Sequence, residues 1–129
     1  MNVLVTGGNG FIGANLVRRL LEDGQRVRCL VHRGCDLLAK LPIETVTGSL
    51  ALPATLTAAV QDVEVVYHLA GSGKAAEWGT RDWFFEVNTN GTGNLLRAAV
   101  EAGVRRLVHT SSLAVHDFSG HADADENTP

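Results

Sequence analysis

The sequence predicts an α/β fold, a doubly wound parallel sheet with strand order 3-2-1-4-5. Three observations carry that expectation. Short apolar runs (NVLVT, VRCLV, IETVT, VEVVYHL, VRRLVH) alternate with segments of helical periodicity. Runs that are apolar on both faces suit strands covered by helices on each side, as in a parallel sheet. A glycine-rich break, GGNG, separates the first run from the first helix. Right-handed crossovers then give a doubly wound sheet, most simply in the order stated.

The elements follow in turn. Residues 2–6 form the first strand. From Phe11 to Glu22, Ile12, Leu16 and Leu20 recur at four-residue steps with Val17 and Leu21 beside them, which makes one apolar helix face. Asp23-Gly24 stops that helix. Val27–Val31 is the second strand, Leu37–Leu41 a short helix closed by Pro42, and Ile43–Thr47 the third strand. Pro53–Gln61 reads as a helix with proline in its first turn. Val63–Leu69 is the fourth strand, and 70–79 a loop of small residues. A long helix covers 83–102, weakened by roughly 1 kcal/mol at each of Gly91 and Gly93. Gly103 ends it, Val104–His109 is the fifth strand, and a polar, acidic tail begins near Ser111.

Composition narrows the class. The 129 residues, 45% apolar and 19% charged, suit one ordinary globular domain over 1–129, long enough for a real core. A net charge of −3 gives no electrostatic case for nucleic acid or an anionic membrane. Cys29 and Cys35 follow no metal-ligand or redox-pair spacing, and Cys29 reads as a buried thiol. With no disulfide framework, no basic and apolar leader, and no run of about 20 apolar residues, the expectation is a soluble, cytoplasmic protein.

The glycines carry the first functional reading. Gly7, Gly10 and Gly13 fall between strand and helix, in both GxxGxxG and GxGxxG registers. In a βαβ unit the first permits a tight turn, Gly10 clears space for a pyrophosphate, and Gly13 lets helix and strand approach. Backbone N–H groups around Phe11 and Ile12, at the positive end of the helix dipole, then bind the phosphates. The plainer alternative is a structural turn. At the end of the second strand an acid would accept the ribose 2′-hydroxyl of NAD, but Val31, His32 and Arg33 stand there. Arg33 would pair with a 2′-phosphate, which favours NADP, while Asp36 keeps NAD open.

VTGGNGFIG, VVYHLAG at 65–71, VNTNGTGNLLRAA at 87–99 and GVRRLVHTSSLAV at 103–115 together resemble the extended short-chain dehydrogenases/reductases, the NAD(P)-dependent epimerase/dehydratase group with a Rossmann fold. The resemblance runs from residue 2 to about 116. It includes dihydroflavonol-reductase-like and 3β-hydroxysteroid-dehydrogenase-like enzymes. It implies that the segment HLAG, His68 with Leu69, Ala70 and Gly71, lines the cofactor near adenosine, and that Asn88 shapes the active-site end of the long helix. Ser112 would hydrogen-bond the substrate oxygen, with Thr110 and Ser111 before it at the strand end.

Two departures qualify the match. Where the family places an acid near the adenine, this chain has TGSL, so Ser49 followed by Leu50 keeps a hydrogen bond without the charge. The Tyr-x-x-x-Lys motif expected some 20–35 residues after the serine is absent. The one tyrosine is Tyr67 in the fourth strand, and the lysines are Lys40 and Lys74. The expectation is therefore the N-terminal part of a longer chain, truncated before the last strands and lacking the substrate region, and inactive alone; a natural truncation is the alternative.

The reading is a cofactor-binding portion of an NAD(P)-dependent oxidoreductase acting on a carbonyl or secondary alcohol. A sugar-nucleotide epimerase/dehydratase and a non-catalytic dinucleotide-binding regulator remain the alternatives. A small-molecule substrate and a homodimer through the 83–102 helix are the partners it implies. Ser112, His116 and Asp117 have the residue types of a hydrolytic triad but crowd one loop. His116, Asp117, His121, Asp123, Asp125 and Glu126 show no zinc or calcium spacing, so no metal is expected. Trp78, Trp83, Phe84 and Phe85 read as core or interface before substrate contacts.

Overall fold

The computed structural model describes residues 1–32, 34, 37–72, 81–112 and 125–127. β1 (Asn2–Thr6) leads through the glycine turn into α1 (Phe11–Glu22), followed by β2 (Arg26–Val31), β3 (Glu44–Thr47), α2 (Pro53–Val60) and β4 (Val65–His68). A continuous helical stretch then comprises α3 (Arg81–Phe84), a π-helical segment (Phe85–Asn90) and α4 (Gly91–Glu101), before β5 (Arg106–His109). The strands form one sheet in the order β3-β2-β1-β4-β5, and every pairing is parallel.

Strand alternation sends side chains to two cores. Leu4, Leu30 and Val66 pack with Leu56, Ala59 and Val60 of α2 and Leu95 and Ala98 of α4. Val3, Val5, Val27, Cys29 and Val65 face the other way, against Ala14, Val17 and Leu20 of α1. This is why the runs are largely apolar on both faces: helices cover both sides of β1, β2 and β4, and most of their residues are buried. The edges differ. β3 is mostly exposed, and in β5 only Leu107 is half-buried.

Two expectations change. Residues 37–40 form turns instead of a short helix, with Leu41 N–H donating to the Leu38 carbonyl at 2.9 Å before Pro42 blocks continuation. Leu38 serves as a plug, buried in the α1-side core. The long helix starts at Arg81 and widens to π geometry over 85–90, which the spacing of its residues does not announce.

The parallel order brings the C-terminal ends of all strands to one edge. Thr6 stands beside Leu30 on one side and His68 on the other, and His68 stands beside His109. Connections leave β1 toward β2 and β3, then cross to β4 and β5. Their divergence opens a crevice above β1, where ligands bind in such sheets.

Candidate functional site

The glycine turn builds the floor of that crevice. Gly7 has φ +74°, a conformation side chains disfavour, and a Cβ there would lie 2.7 Å from Ala70 N. Gly10 N–H donates to the Gly7 carbonyl at 2.9 Å, closing the turn. A Cβ on Gly13 would overlap that same carbonyl oxygen and come within 2.8 Å of Gly8 Cα, so α1 can sit this close to the turn only with glycine.

The start of α1 is chemically open. Gly10 caps it with no side-chain hydrogen bond, and its first turn holds no acid. Phe11 and Ile12 are 85% and 62% exposed. The Asn9 amide turns away to donate to the Gly34 carbonyl at 2.7 Å, tying the turn to the loop after β2. First-turn N–H groups and the positive dipole end thus meet no competing side-chain anion, a cradle that fits a phosphate.

Beside the turn lies a cleft of about 270 Å³. Of the residues singled out in the sequence, it gathers Gly7, His32, Ser49, Leu50, Ala70 and Gly71. Asn9, Leu30, Val87 and Trp83 also line it. Trp83, for which the sequence ranks core or interface ahead of substrate contacts, is a wall of this cleft, 41% exposed. Ser49 is engaged in its own turn, where its Oγ accepts from Ala51 N–H at 3.3 Å and its N–H donates to Thr55 Oγ1 at 3.1 Å. Leu69 does not line the cleft; it is partly buried against the α1-side core. Thr110, Ser111 and Ser112 lie one strand further on, exposed beyond β5, with Thr110 N–H donating to the His68 carbonyl at 3.0 Å.

Behind the cleft runs a polar chain that the sequence reading missed. His68, fully buried, has Nδ1 2.7 Å from Thr6 Oγ1 and Nε2 2.9 Å from Thr92 Oγ1. Ala70 N–H donates to Thr6 Oγ1 at 3.2 Å, and Thr92 Oγ1 donates to the Asn88 carbonyl at 2.7 Å. The Asn88 amide brackets Ser72, accepting its N–H at 2.7 Å and donating to its carbonyl at 2.9 Å. Burial, and secondly the His109 ring with its centroid 5.1 Å away, push the His68 imidazole down to about 4, so it is neutral near pH 7. HLAG and NTNGT contain all of these residues but Thr6 and Ser72, yet 24 positions separate His68 from Thr92 and no pattern in one sequence joins them.

Arg33, Cys35, Asp36, Lys74 and Trp78 lie outside the described residues, as do His116, Asp117, His121 and Asp123. Among the described residues no three His, Cys, Asp or Glu side chains are grouped so as to hold a metal ion. No helix among them is long and apolar enough to cross a membrane.

Comparison with known proteins agrees with this geometry. Residues 3–129 match the NAD dependent epimerase/dehydratase family. The chain is 39% identical over 129 residues to sterol demethylase protein B of Methylococcus capsulatus, covering 98% of this chain and 39% of that protein. It is 39% identical over 118 residues to a 3-beta-hydroxysteroid dehydrogenase of Mycolicibacterium neoaurum, covering 88% and 32% respectively. A short-chain dehydrogenase/reductase superfamily protein from Agrobacterium tumefaciens, solved with bound NAD, superposes with a TM-score of 0.77 at 38% identity, covering 87% of this chain and 33% of that one. The chain thus spans about a third to two-fifths of the length of these relatives. It belongs to the NAD dependent epimerase/dehydratase family of extended short-chain dehydrogenases/reductases.

Proposed function

We propose that the chain is the dinucleotide-binding part of an oxidoreductase that moves hydride between a nicotinamide cofactor and a carbonyl or secondary alcohol, with NADP(H) preferred. The observation that carries this reading is the uncapped start of α1 against a turn where Gly7 and Gly13 leave no room for side chains. The pyrophosphate sits there on backbone N–H groups. The adenosine occupies the adjoining cleft, its base against Trp83, Leu50 and Val87. When bound, the cofactor supplies the hydride, and the protein orients it and polarises the substrate oxygen.

Ser112, at the open end of β5, donates a hydrogen bond to that oxygen, with Thr110 and Ser111 beside it. Tyr67 lies within β4, half-buried among the α1-side residues, so the proton comes from a Tyr-x-x-x-Lys pair elsewhere in a longer protein. The names of two relatives refer to sterol or steroid substrates, which supports an apolar alcohol. Exposed Leu96 and Val100 on α4 offer an apolar strip for a second copy.

The preference for NADP(H) rests on His32 and Arg33 standing where an acid would select NAD. Titration with NADPH and NADH tests it. NADPH is expected to bind more tightly, and Arg33→Ala to weaken NADPH about tenfold while sparing NADH. Equal or tighter NADH binding would refute the preference; binding of neither would refute the dinucleotide reading.

A further inference from the structure

The polar chain behind the cleft has a direction that donor and acceptor chemistry dictates. Thr92 Oγ1 has one proton, and it goes to the Asn88 carbonyl, which cannot donate. Toward His68 Nε2 the Thr92 oxygen must therefore accept, so Nε2 carries the hydrogen. A singly protonated imidazole then leaves Nδ1 as an acceptor, and Thr6 Oγ1 donates to it. The Thr6 oxygen is left to accept from Ala70 N–H. Every hydroxyl donates once and accepts once, in the order Ala70, Thr6, His68, Thr92, Asn88.

The far end of that chain returns to its start. The Asn88 carbonyl receives Thr92, and the Asn88 amide holds both backbone groups of Ser72. The segment 70–72 is thus held at Ala70 through β1 and at Ser72 through the π-helical segment. Ala70 and Gly71 form one wall of the cleft, and Gly7 of the phosphate turn packs against Ala70 N. Satisfying a buried histidine in the core would require none of this convergence on one backbone segment.

We propose that His68 is a positioning residue for the cofactor: as the Nε2–H tautomer it couples the cleft wall at 70–72 to the π-helical segment that carries Asn88. This rests on the dinucleotide reading of the cleft. Loss of the relay lets segment 70–72 move relative to the glycine turn, and dinucleotide affinity falls. A purely structural role would lower stability and leave affinity unchanged.

The test combines the tautomer with a hydroxyl rescue. Nitrogen-15 NMR of the unsubstituted protein should show the hydrogen of His68 on Nε2; a hydrogen on Nδ1 overturns the proposal without any variant. Thr92→Val removes the hydroxyl at nearly constant shape and should weaken NADPH and NADH about tenfold, the size of one lost buried hydrogen bond. Thr92→Ser should restore affinity to within about twofold, again well under one hydrogen bond. A folded Thr92→Val protein that binds like the unsubstituted one, or Thr92→Ser failing as Thr92→Val does, overturns the proposal alone. If the unsubstituted protein binds neither dinucleotide, the reading of the cleft fails and the proposal falls with it.

Discussion

Among the described residues, His68 is the one whose ionisation the fold opposes most clearly. In the unfolded chain its imidazole titrates near its ordinary value of 6.5, whereas the folded protein holds it down to about 4, mainly by burial. Between those values the unfolded chain binds a proton that the folded chain refuses. The stability that depends on neutral His68 is therefore complete above about pH 6.5 and is lost as pH falls through about 4. Protonation would also put a hydrogen on Nδ1 facing Thr6 Oγ1, which already accepts from Ala70, leaving the Thr6 proton without its acceptor. Urea midpoints measured from pH 7 to 4 should decline steadily, and His68→Gln should flatten that part of the profile. A flat profile for the unsubstituted protein would contradict the assignment. None of this was legible in VVYHLAG, because the sequence marks His68 as a strand residue and says nothing of the threonines that flank its ring.

At the scale of elements, two helices depend on contacts from distant segments. α2 has no basic residue in its last turn, and Arg28 of β2 takes that role from across the chain. Its guanidinium donates to the carbonyls of Ala59 at 3.0 Å and Gln61 at 2.7 Å, compensating the negative end of the helix. Its Nε lies 2.9 Å from a Glu44 carboxylate oxygen but is not directed into a hydrogen bond, so that contact is a charge pairing. Arg28→Met should cost about 1–3 kcal/mol in unfolding experiments, chiefly from the orphaned carbonyls. The long helix gives a paired prediction. A Cβ on Gly91 would lie 2.7 Å from Leu50 Cβ, where Asn94 Nδ2 also donates to the Leu50 carbonyl at 2.9 Å. At Gly93 the nearest atom is the flexible end of Arg97, 3.8 Å away. Gly93→Ala should therefore stabilise by up to about 1 kcal/mol through helix propensity. Gly91→Ala should instead destabilise by about 1–3 kcal/mol through overpacking, and should weaken dinucleotide binding because Leu50 lines the cleft. Thermal unfolding of the two variants separates these cases. The sequence treated both glycines alike, as weak points in a helix; only the neighbour of each distinguishes them.

Across the whole molecule, protection follows position in the sheet. β1 is paired on both sides, by β2 and β4, and buries Val3, Leu4, Val5 and Thr6. β3 and β5 are outermost and largely exposed. Native-state hydrogen exchange should be slowest at Val3–Thr6 and fastest among the strands in Glu44–Thr47 and Arg106–His109, because edge ladders open without disturbing either core. Exchange in β5 as slow as in β1 would show that this edge is covered in solution. The strand order that sets this hierarchy was legible beforehand. Five apolar runs separated by helical segments admit few right-handed doubly wound arrangements, and the glycine motif locates β1.

What the sequence by itself determined is the architecture and the place of the glycine turn. Both depend on local information: apolar periodicity, helix stop signals, and glycines whose spacing matches one strand-turn-helix unit. The tertiary structure decided which residues meet. It put Trp83 and Val87 of the long helix together with His32 and Ser49 around one cleft, joined Thr6 to Thr92 through His68, and made Gly91 a contact surface for Leu50. The physical reason is that those contacts link segments tens of residues apart. Their partners are chosen by how helices settle on the sheet, and a side chain's own neighbours in the chain carry no record of that choice.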